Sequence, residues 1–418
     1  MRREVHFWCL PPVAIALSVL LPAQVQDLDI LEECTVGVAC GKATPDNRPL
    51  LWKTRDTNAK NNEVVYFTDG KYKYLALVTA GQDSSAWAGV NEKGFCIMNS
   101  LSTDLPRGER RAMGNGGFMK LALRTCATVA DLEAMLVRTA ETGRRTRANF
   151  GVIDATGAAM VFETGATTHK RFDASDPKVA PEGFIVRSNF AMSADNARTR
   201  ARSIERYQRG NSICKAAVAK ENLTARHLLR QFCRDLADSD GKPFSVPLEQ
   251  VVGKAPAGML DNNKCIARPS TRSAVVFHGV RAPEHPDLTT FWVVLGEPIF
   301  SVAVPCWVRT GAVAPELDGE EHSPLCDAAI SLTADGYITR RKEGRRSPAR
   351  YLNTKELPKI WERTYPAEDE IFKATAEHLK TWRNKLPPPE KMLQFHQAMA
   401  KQAHTCLKNL VTARSGVK

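Results

Sequence analysis

An α+β fold, with two antiparallel sheets packed between helical layers, is predicted by three features of this sequence. Short strand-like runs joined by hairpin turns follow a dispensable-looking leader. Helical segments then alternate with returning strands. At 418 residues, 43% hydrophobic and 25% charged, the chain can build one large core plus an appendage.

The elements follow in order. Cys34 to Gly41 alternates small and apolar residues and reads as a strand; Lys42 to Pro49, containing Pro45-Asp46-Asn47, is a turn, and Leu50 to Lys53 a second strand. Glu63 to Phe67 and Tyr72 to Thr79 are strands around Asp69-Gly70, and Trp87 to Val90 pairs with Phe95 to Asn99 around Asn91 to Gly94. Gly117 to Cys126 and Thr128 to Thr139 are helices, the second opening on a threonine cap with Leu132, Met135 and Leu136 on one face. Strands return at Phe150 to Ile153, Ala159 to Glu163 and Phe184 to Asn189; Arg198 to Gln208 and Thr224 to Leu236 are helical; Ser273 to Phe277 and Thr290 to Leu295 are central strands.

The character changes near residue 310, which divides a strand-rich globular domain over 34–310 from a charged, mainly helical extension over 311–418. Asp369 to Trp382 places Phe372, Ala376, Leu379 and Trp382 on one face, Pro387 to Pro389 breaks the helix, and Met392, Phe395, Met399, Ala403, Cys406 and Leu410 align on a second. A helical hairpin docked on the globular domain is expected, with a basic membrane-surface element as the alternative.

The first residues are of another kind. Met1-Arg2-Arg3 is basic, Val13 to Leu21 is apolar, and Pro22-Ala23-Gln24 ends the run. That run is too short to span a bilayer but suits a signal-peptide core. The pattern predicts a signal peptide over 1–23, a short propeptide over 24–33, a secreted or periplasmic protein, and no transmembrane span in the mature form. Leu31-Glu32-Glu33 before Cys34 excludes a lipidation box.

The net charge is +12, and without residues 1–33 there remain 56 basic and 41 acidic residues, or +15. No nucleic-acid fold signature accompanies this charge, so a nucleic-acid partner is not expected. Eleven cysteines include Cys9 in the leader; the other ten form no CxxC pair, and His322 with Cys326 lacks a second ligand pair, so neither a metal nor any other cofactor is expected. Disulfide pairing and oligomeric state, a homo-oligomer included, stay open.

Cys34 carries the chemistry. It opens the first strand immediately after the leader, so cleavage before it would place an α-amine and a thiol on one residue. Their reference pKa values, about 7.7–8.0 and about 8.5, are matched for proton exchange near neutral pH. One residue then supplies nucleophile and general base, and no histidine is required.

Cys34-Thr35, a short strand, a turn, and then Lys53-Thr-Arg-Asp56 resemble the opening of the cysteine N-terminal-nucleophile (Ntn) hydrolases. These comprise bile-salt hydrolases, penicillin V acylases, acid-ceramidase-like amidases, and the isopenicillin N acyltransferase and carcinine-hydrolase branch, which Gly41 to Asp56 resembles most. The similarity runs from Cys34 to about Val308. It implies a four-layer αββα sandwich and a catalytic set of Cys34, Asp56, Asn99 and Asn189. Asp56 would hold the α-amine, Asn99, at the end of the Asn91–Asn99 hairpin, would be the oxyanion-hole amide, and Asn189 would orient the amine or the tetrahedral intermediate. Lys53 stands where bile-salt hydrolases and acid ceramidases carry arginine, keeping the charge but losing the planar fork; Arg55 is the other candidate cation. Arg272 falls near another family arginine and is assigned to the substrate pocket. Arg198, Arg202 and Arg206, in the helix after Asn189, are expected as surface and packing groups.

The function expected is a secreted thiol amidase or acyltransferase acting on a small-molecule acyl amide. The alternative is an inactive secreted protein of the same fold that binds an anionic envelope partner through its basic surface.

Overall fold

The computed structural model describes residues 33–201, 203–237, 241–242, 246–249, 255–319, 322–340 and 349–415, without the side chains of residues 198 and 415. The expected signal peptide, and the propeptide apart from Glu33, lie outside them.

Alternating apolar residues and tight turns lay down the first strands: β1 (Thr35–Ala39), β2 (Leu50–Asp56), β3 (Asn62–Phe67), β4 (Tyr74–Thr79), β5 (Ala88–Asn91) and β6 (Cys96–Leu101). The helices α1 (Asn115–Thr125) and α2 (Val129–Thr142) follow. Thr128 caps α2 in a capping box, its hydroxyl accepting from Asp131 N at 3.2 Å while the Asp131 carboxylate accepts from Thr128 N at 2.9 Å. Next come β7 (Ala148–Ile153), β8 (Ala159–Thr164), β9 (His169–Asp173) and β10 (Phe184–Arg187), then α3 (Ala197–Ala201), α4 (Ile204–Ala219) and α5 (Ala225–His227), which runs into a π-helical turn over Leu228–Phe232. The strands β11 (Met259–Leu260), β12 (Thr271–His278), β13 (Thr290–Leu295) and β14 (Val304–Cys306) precede α6 (Pro324–Gly336), β15 (Tyr337–Arg340), β16 (Ala349–Asn353), α7 (Leu357–Asn384) and α8 (Pro389–Ser415).

Two antiparallel sheets face each other, one ordered β10-β1-β2-β12-β13-β14 and the other β3-β4-β5-β6-β7-β8-β9; β11-β16-β15 form a small third. The large sheets meet closely at Gly151, where an added Cβ would lie 2.9 Å from Leu51 Cδ1 and 3.3 Å from Val38 Cγ1 across the interface. On the far face of the second sheet, Phe118, Met119, Leu132 and Leu136 of α1 and α2 share a buried cluster with Phe95, Ile97 and Phe150. On the far face of the first sheet, Phe232 of the π-turn meets Trp52 edge-on at 5.7 Å. The expected αββα layering is therefore present.

Three local differences have physical causes. The strand β9 was not foreseen: it is an edge strand, exposed or half-buried throughout, so it carries no strong apolar alternation. The helix expected over 198–208 breaks at Ser203, whose hydroxyl and carbonyl are engaged by Ser188 and whose hydroxyl also accepts from Asn189 N. The first extension helix begins at Leu357 rather than Asp369 and carries Pro366 within it.

Beyond residue 310 the chain forms the helical hairpin α7–α8 and also contributes β15 and β16. Phe372 packs at a tilt against Trp292, ring centroids 4.5 Å apart, and Ile371, Ala400, Ala403 and Leu407 belong to the same hydrophobic cluster as β1, β2 and β13. The described residues belong to one compact unit.

Candidate active site

Strand register assembles the site around Cys34. The pairings Thr35 with Thr54 and Val36 with Arg187 carry Cys34 opposite Arg55 on one side and opposite Asn189 on the other. Side chains alternate along a strand. Thr35 reaches the helical layer, where its hydroxyl accepts from Arg206, while Val38 meets the second sheet, so Cys34 turns towards the second sheet as well. On the neighbouring strand Lys53 and Arg55 share that orientation, and Thr54 and Asp56 take the other. Cys34 is fully buried.

The inter-sheet side holds two of the expected residues together. The Lys53 ammonium donates to Asn99 Oδ1 at 2.8 Å and to the Trp87 carbonyl at 3.0 Å. An ammonium only donates, which fixes the Asn99 amide orientation and turns Nδ2 away from Lys53. That Nδ2 is buried and has no hydrogen-bond partner among the described residues. A buried amide donor left open in this way is what a developing oxyanion requires. Arg55 reaches further across: it donates to Asn62 Oδ1 and to Thr79 Oγ1 (3.1 Å), and it lies over the Trp87 ring at 4.7 Å. It ties β2 to β3 and β4.

On the helical side Asp56 is buried. Its Oδ1 accepts from the Thr271 hydroxyl at 2.6 Å, and its Oδ2 has no hydrogen bond among the described residues, the Arg268 Nε lying 3.9 Å away. Burial raises the Asp56 pKa from 3.8 to about 6, against the opposing pull of the Arg268 and Arg206 charges and the Thr271 hydrogen bond. The other Arg268 branch pairs with Glu33, Nη1 to Oε2 at 2.6 Å, while Glu33 N donates to the Asp56 carbonyl at 3.1 Å, so residue 33 continues the line of β1.

Asn189 sits just beyond β10. Its Nδ2 donates to the Leu101 carbonyl at 2.8 Å, and its Oδ1 accepts from Arg206 Nη2 at 2.8 Å. The same guanidinium donates through Nη1 to the Cys34 carbonyl at 3.0 Å and the Thr35 hydroxyl at 2.8 Å. Arg206 is thus buried at the centre of the site, not at the surface. The signal for this is in the sequence: Arg206 shares a helical face with Gly210, Ile213 and Ala217, all buried. Arg268 and Thr271 were also missed, since Arg268 precedes β12 on an irregular segment and Thr271 is the first residue of the strand, cut off from its alternation by the bulge.

Arg272 is the extra residue of a β-bulge between Thr271 and Ser273. It is half-buried, its Nε has no partner among the described residues, and burial lowers its pKa against the opposing pull of the Glu297 charge. Glu297 accepts from the Tyr337 hydroxyl at 2.5 Å.

A cavity of about 560 Å³ lies elsewhere. It is lined by Leu50, His278, Trp292 and Phe372 among others, at the end of β2 opposite Asp56, and none of the candidate residues borders it. Among the described residues no helix is long and apolar enough to cross a membrane, and no group of three or more His, Cys, Asp or Glu is placed to hold a metal ion.

The αββα layering, with Cys34 just ahead of β1, is the arrangement that the sequence resemblance implies. No family model matches the chain, and no curated protein matches it by sequence. Among solved structures, a mutant of the conjugated bile acid hydrolase from Clostridium perfringens is similar at 11% identity and a TM-score of 0.40, covering 69% of this chain and 95% of that one. Penicillin V acylase from Agrobacterium tumefaciens is similar at 14% identity and a TM-score of 0.41, covering 69% and 89%. The Caenorhabditis elegans ortholog of N-acylethanolamine-hydrolysing acid amidase is similar at 14% identity and a TM-score of 0.33, covering 47% and 88%.

Proposed function

We propose that this chain is an exported cysteine amidohydrolase of the Ntn type. Removal of residues 1–33 would expose the Cys34 α-amine, and the protein would cleave, or transfer the acyl group of, a linear small-molecule amide. The observation that carries the reading is the buried, unpartnered Asn99 Nδ2, held by Lys53 on the face of the sheets to which Cys34 turns.

The steps balance as follows. The Cys34 thiol attacks the amide carbonyl, and its proton passes to the α-amine as the S–C bond forms. Asn99 donates to the oxyanion. The ammonium returns the proton to the leaving nitrogen as the C–N bond breaks. Water, losing a proton to the same amine, then opens the thioester and restores the thiol; an amine in place of water completes acyl transfer. Asp56 favours the ammonium form, and Arg206 with Asn189 fixes the Cys34 backbone.

The test compares parent, Cys34→Ser and Cys34→Ala proteins whose chains begin at residue 34, on a panel of acyl anilides. Turnover in the parent, a trace in Cys34→Ser and none in Cys34→Ala is expected. Equal turnover in Cys34→Ala would end the case for the thiol.

A further inference from the structure

We propose that the mature site takes amides whose acyl group ends in a carboxylate, held by Arg268 in the place that Glu33 occupies in the uncut chain. The proposal rests on Cys34 being the nucleophile unmasked by cleavage after Glu33.

The proposal takes cleavage before Cys34 to be the first acyl transfer of this site, with Glu33 as its acyl group. The thiol that attacks a substrate carbonyl is the thiol beside the Glu33 carbonyl, so a substrate acyl group must enter the space that Glu33 vacates. Glu33 is not a bystander there. Its backbone nitrogen is hydrogen-bonded to Asp56 and its carboxylate is paired with Arg268. The Arg268 side chain is 16% exposed, so its charge is largely withdrawn from water and its pairing matters.

When Glu33 leaves, Arg268 loses that partner, and no neighbour among the described residues is placed to replace it. Asp56 lies 3.9 Å from Nε, is already engaged by Thr271, and gains the new α-ammonium as a second claim on its open oxygen. Arg206 and Arg272 add cationic charge around the same carboxyl. The matured site is therefore short of one negative charge at a known position. Chain length follows from the same residue. Glu33 reaches its carboxylate from the carbonyl carbon through Cα, Cβ and Cγ, and a glutaryl group reproduces that spacing.

The experiment uses the matured protein and a pair of anilides with one leaving group, glutaryl and pentanoyl. The glutaryl anilide is expected to show a kcat/KM about tenfold or more higher, and Arg268→Gln to bring the ratio close to one. In parallel, glutarate is expected to slow iodoacetamide alkylation of Cys34 in the parent, and pentanoate is not; this arm decides the matter even where the variant does not fold. Turnover of both anilides at a ratio near one overturns the proposal and leaves the amidase reading standing. Protection by glutarate without any turnover supports the subsite and counts against the amidase. Neither turnover nor protection overturns both. A preference that follows a carboxylate moved to the amine side, as in pentanoyl-aminobenzoate, overturns the assignment to the acyl side.

Discussion

Replacing Asp56 by asparagine should make the uncut chain more stable at neutral pH while it disables the mature one. In the intact chain the Asp56 pKa lies near 6 instead of 3.8, because burial outweighs its arginine neighbours and the Thr271 hydrogen bond. The native state therefore holds a proton between those values that the unfolded chain has released. The contribution of this group to stability is therefore most favourable below about pH 4, falls as pH rises to about 6, and is level beyond. Roughly two pKa units correspond to about 3 kcal/mol of lost stability at pH 7. Asparagine still accepts from Thr271 and never ionises, so the difference between variant and parent should be small at pH 4 and reach about 2–3 kcal/mol at pH 7. The assay is urea denaturation from pH 4 to 8 of the uncleavable Cys34→Ala chain with and without Asp56→Asn. Taking the difference removes the contributions of titrating groups that do not sense Asp56, such as His396, whose pKa burial lowers to about 4. In the matured protein, where an ammonium is available to Asp56, the gain should shrink and turnover should collapse. A difference that does not vary with pH, or a matured variant with parental turnover, would refute the reasoning.

Asn99→Ala should lower kcat about 10²–10³-fold with little change in KM, because on the proposed reading the open Nδ2 serves charge that exists only in the transition state; a raised KM with kcat unchanged would mark it as a binding group. Arg206→Met removes the donor shared by the Cys34 carbonyl, the Thr35 hydroxyl and the Asn189 carbonyl oxygen, and should cost about 3–5 kcal/mol in chemical denaturation, where a loss under 1 kcal/mol would contradict its central place. His396 is buried and neutral, accepting from Ala314 N at 2.9 Å while donating to the Pro305 carbonyl at 2.8 Å, and burial lowers its pKa to about 4. Its contribution is complete above about pH 6.5 and falls by about 3 kcal/mol as pH drops to 4; His396→Leu should remove that slope, at a cost in stability at pH 7.

Much of the layering was legible because strand and helix periods differ. The runs around Cys34, Leu50 and Phe95 alternate, the Thr128 cap opens a helix, and hairpin turns order the strands. What stayed illegible depends on contacts between distant segments. Arg206 reads as a surface group although its helical face is apolar, because an arginine on such a face is explained only when its three acceptors are seen. Lys53 reads from sequence as a charge near the thiol, whereas its contacts make it the residue that orients the Asn99 amide. Arg268 and Thr271 lie on an irregular entry into β12, where no periodicity shows which way a side chain turns. The bulge at Arg272 cannot be read from an alternating pattern at all, since the bulge is where alternation fails.

The central claim is that residue 34 becomes the amino terminus and carries the nucleophile. Intact-mass measurement of the purified protein, before and after brief iodoacetamide treatment and beside an anilide assay, tests it most directly. The account predicts a chain beginning at Cys34, a single fast alkylation mapped to that residue, and loss of turnover in step with it. Cys96 and Cys233 should react slowly, as burial pushes the first thiol well above its ordinary pKa and the second to about 12. An active chain that retains Glu33, or full turnover after Cys34 is alkylated, would contradict it.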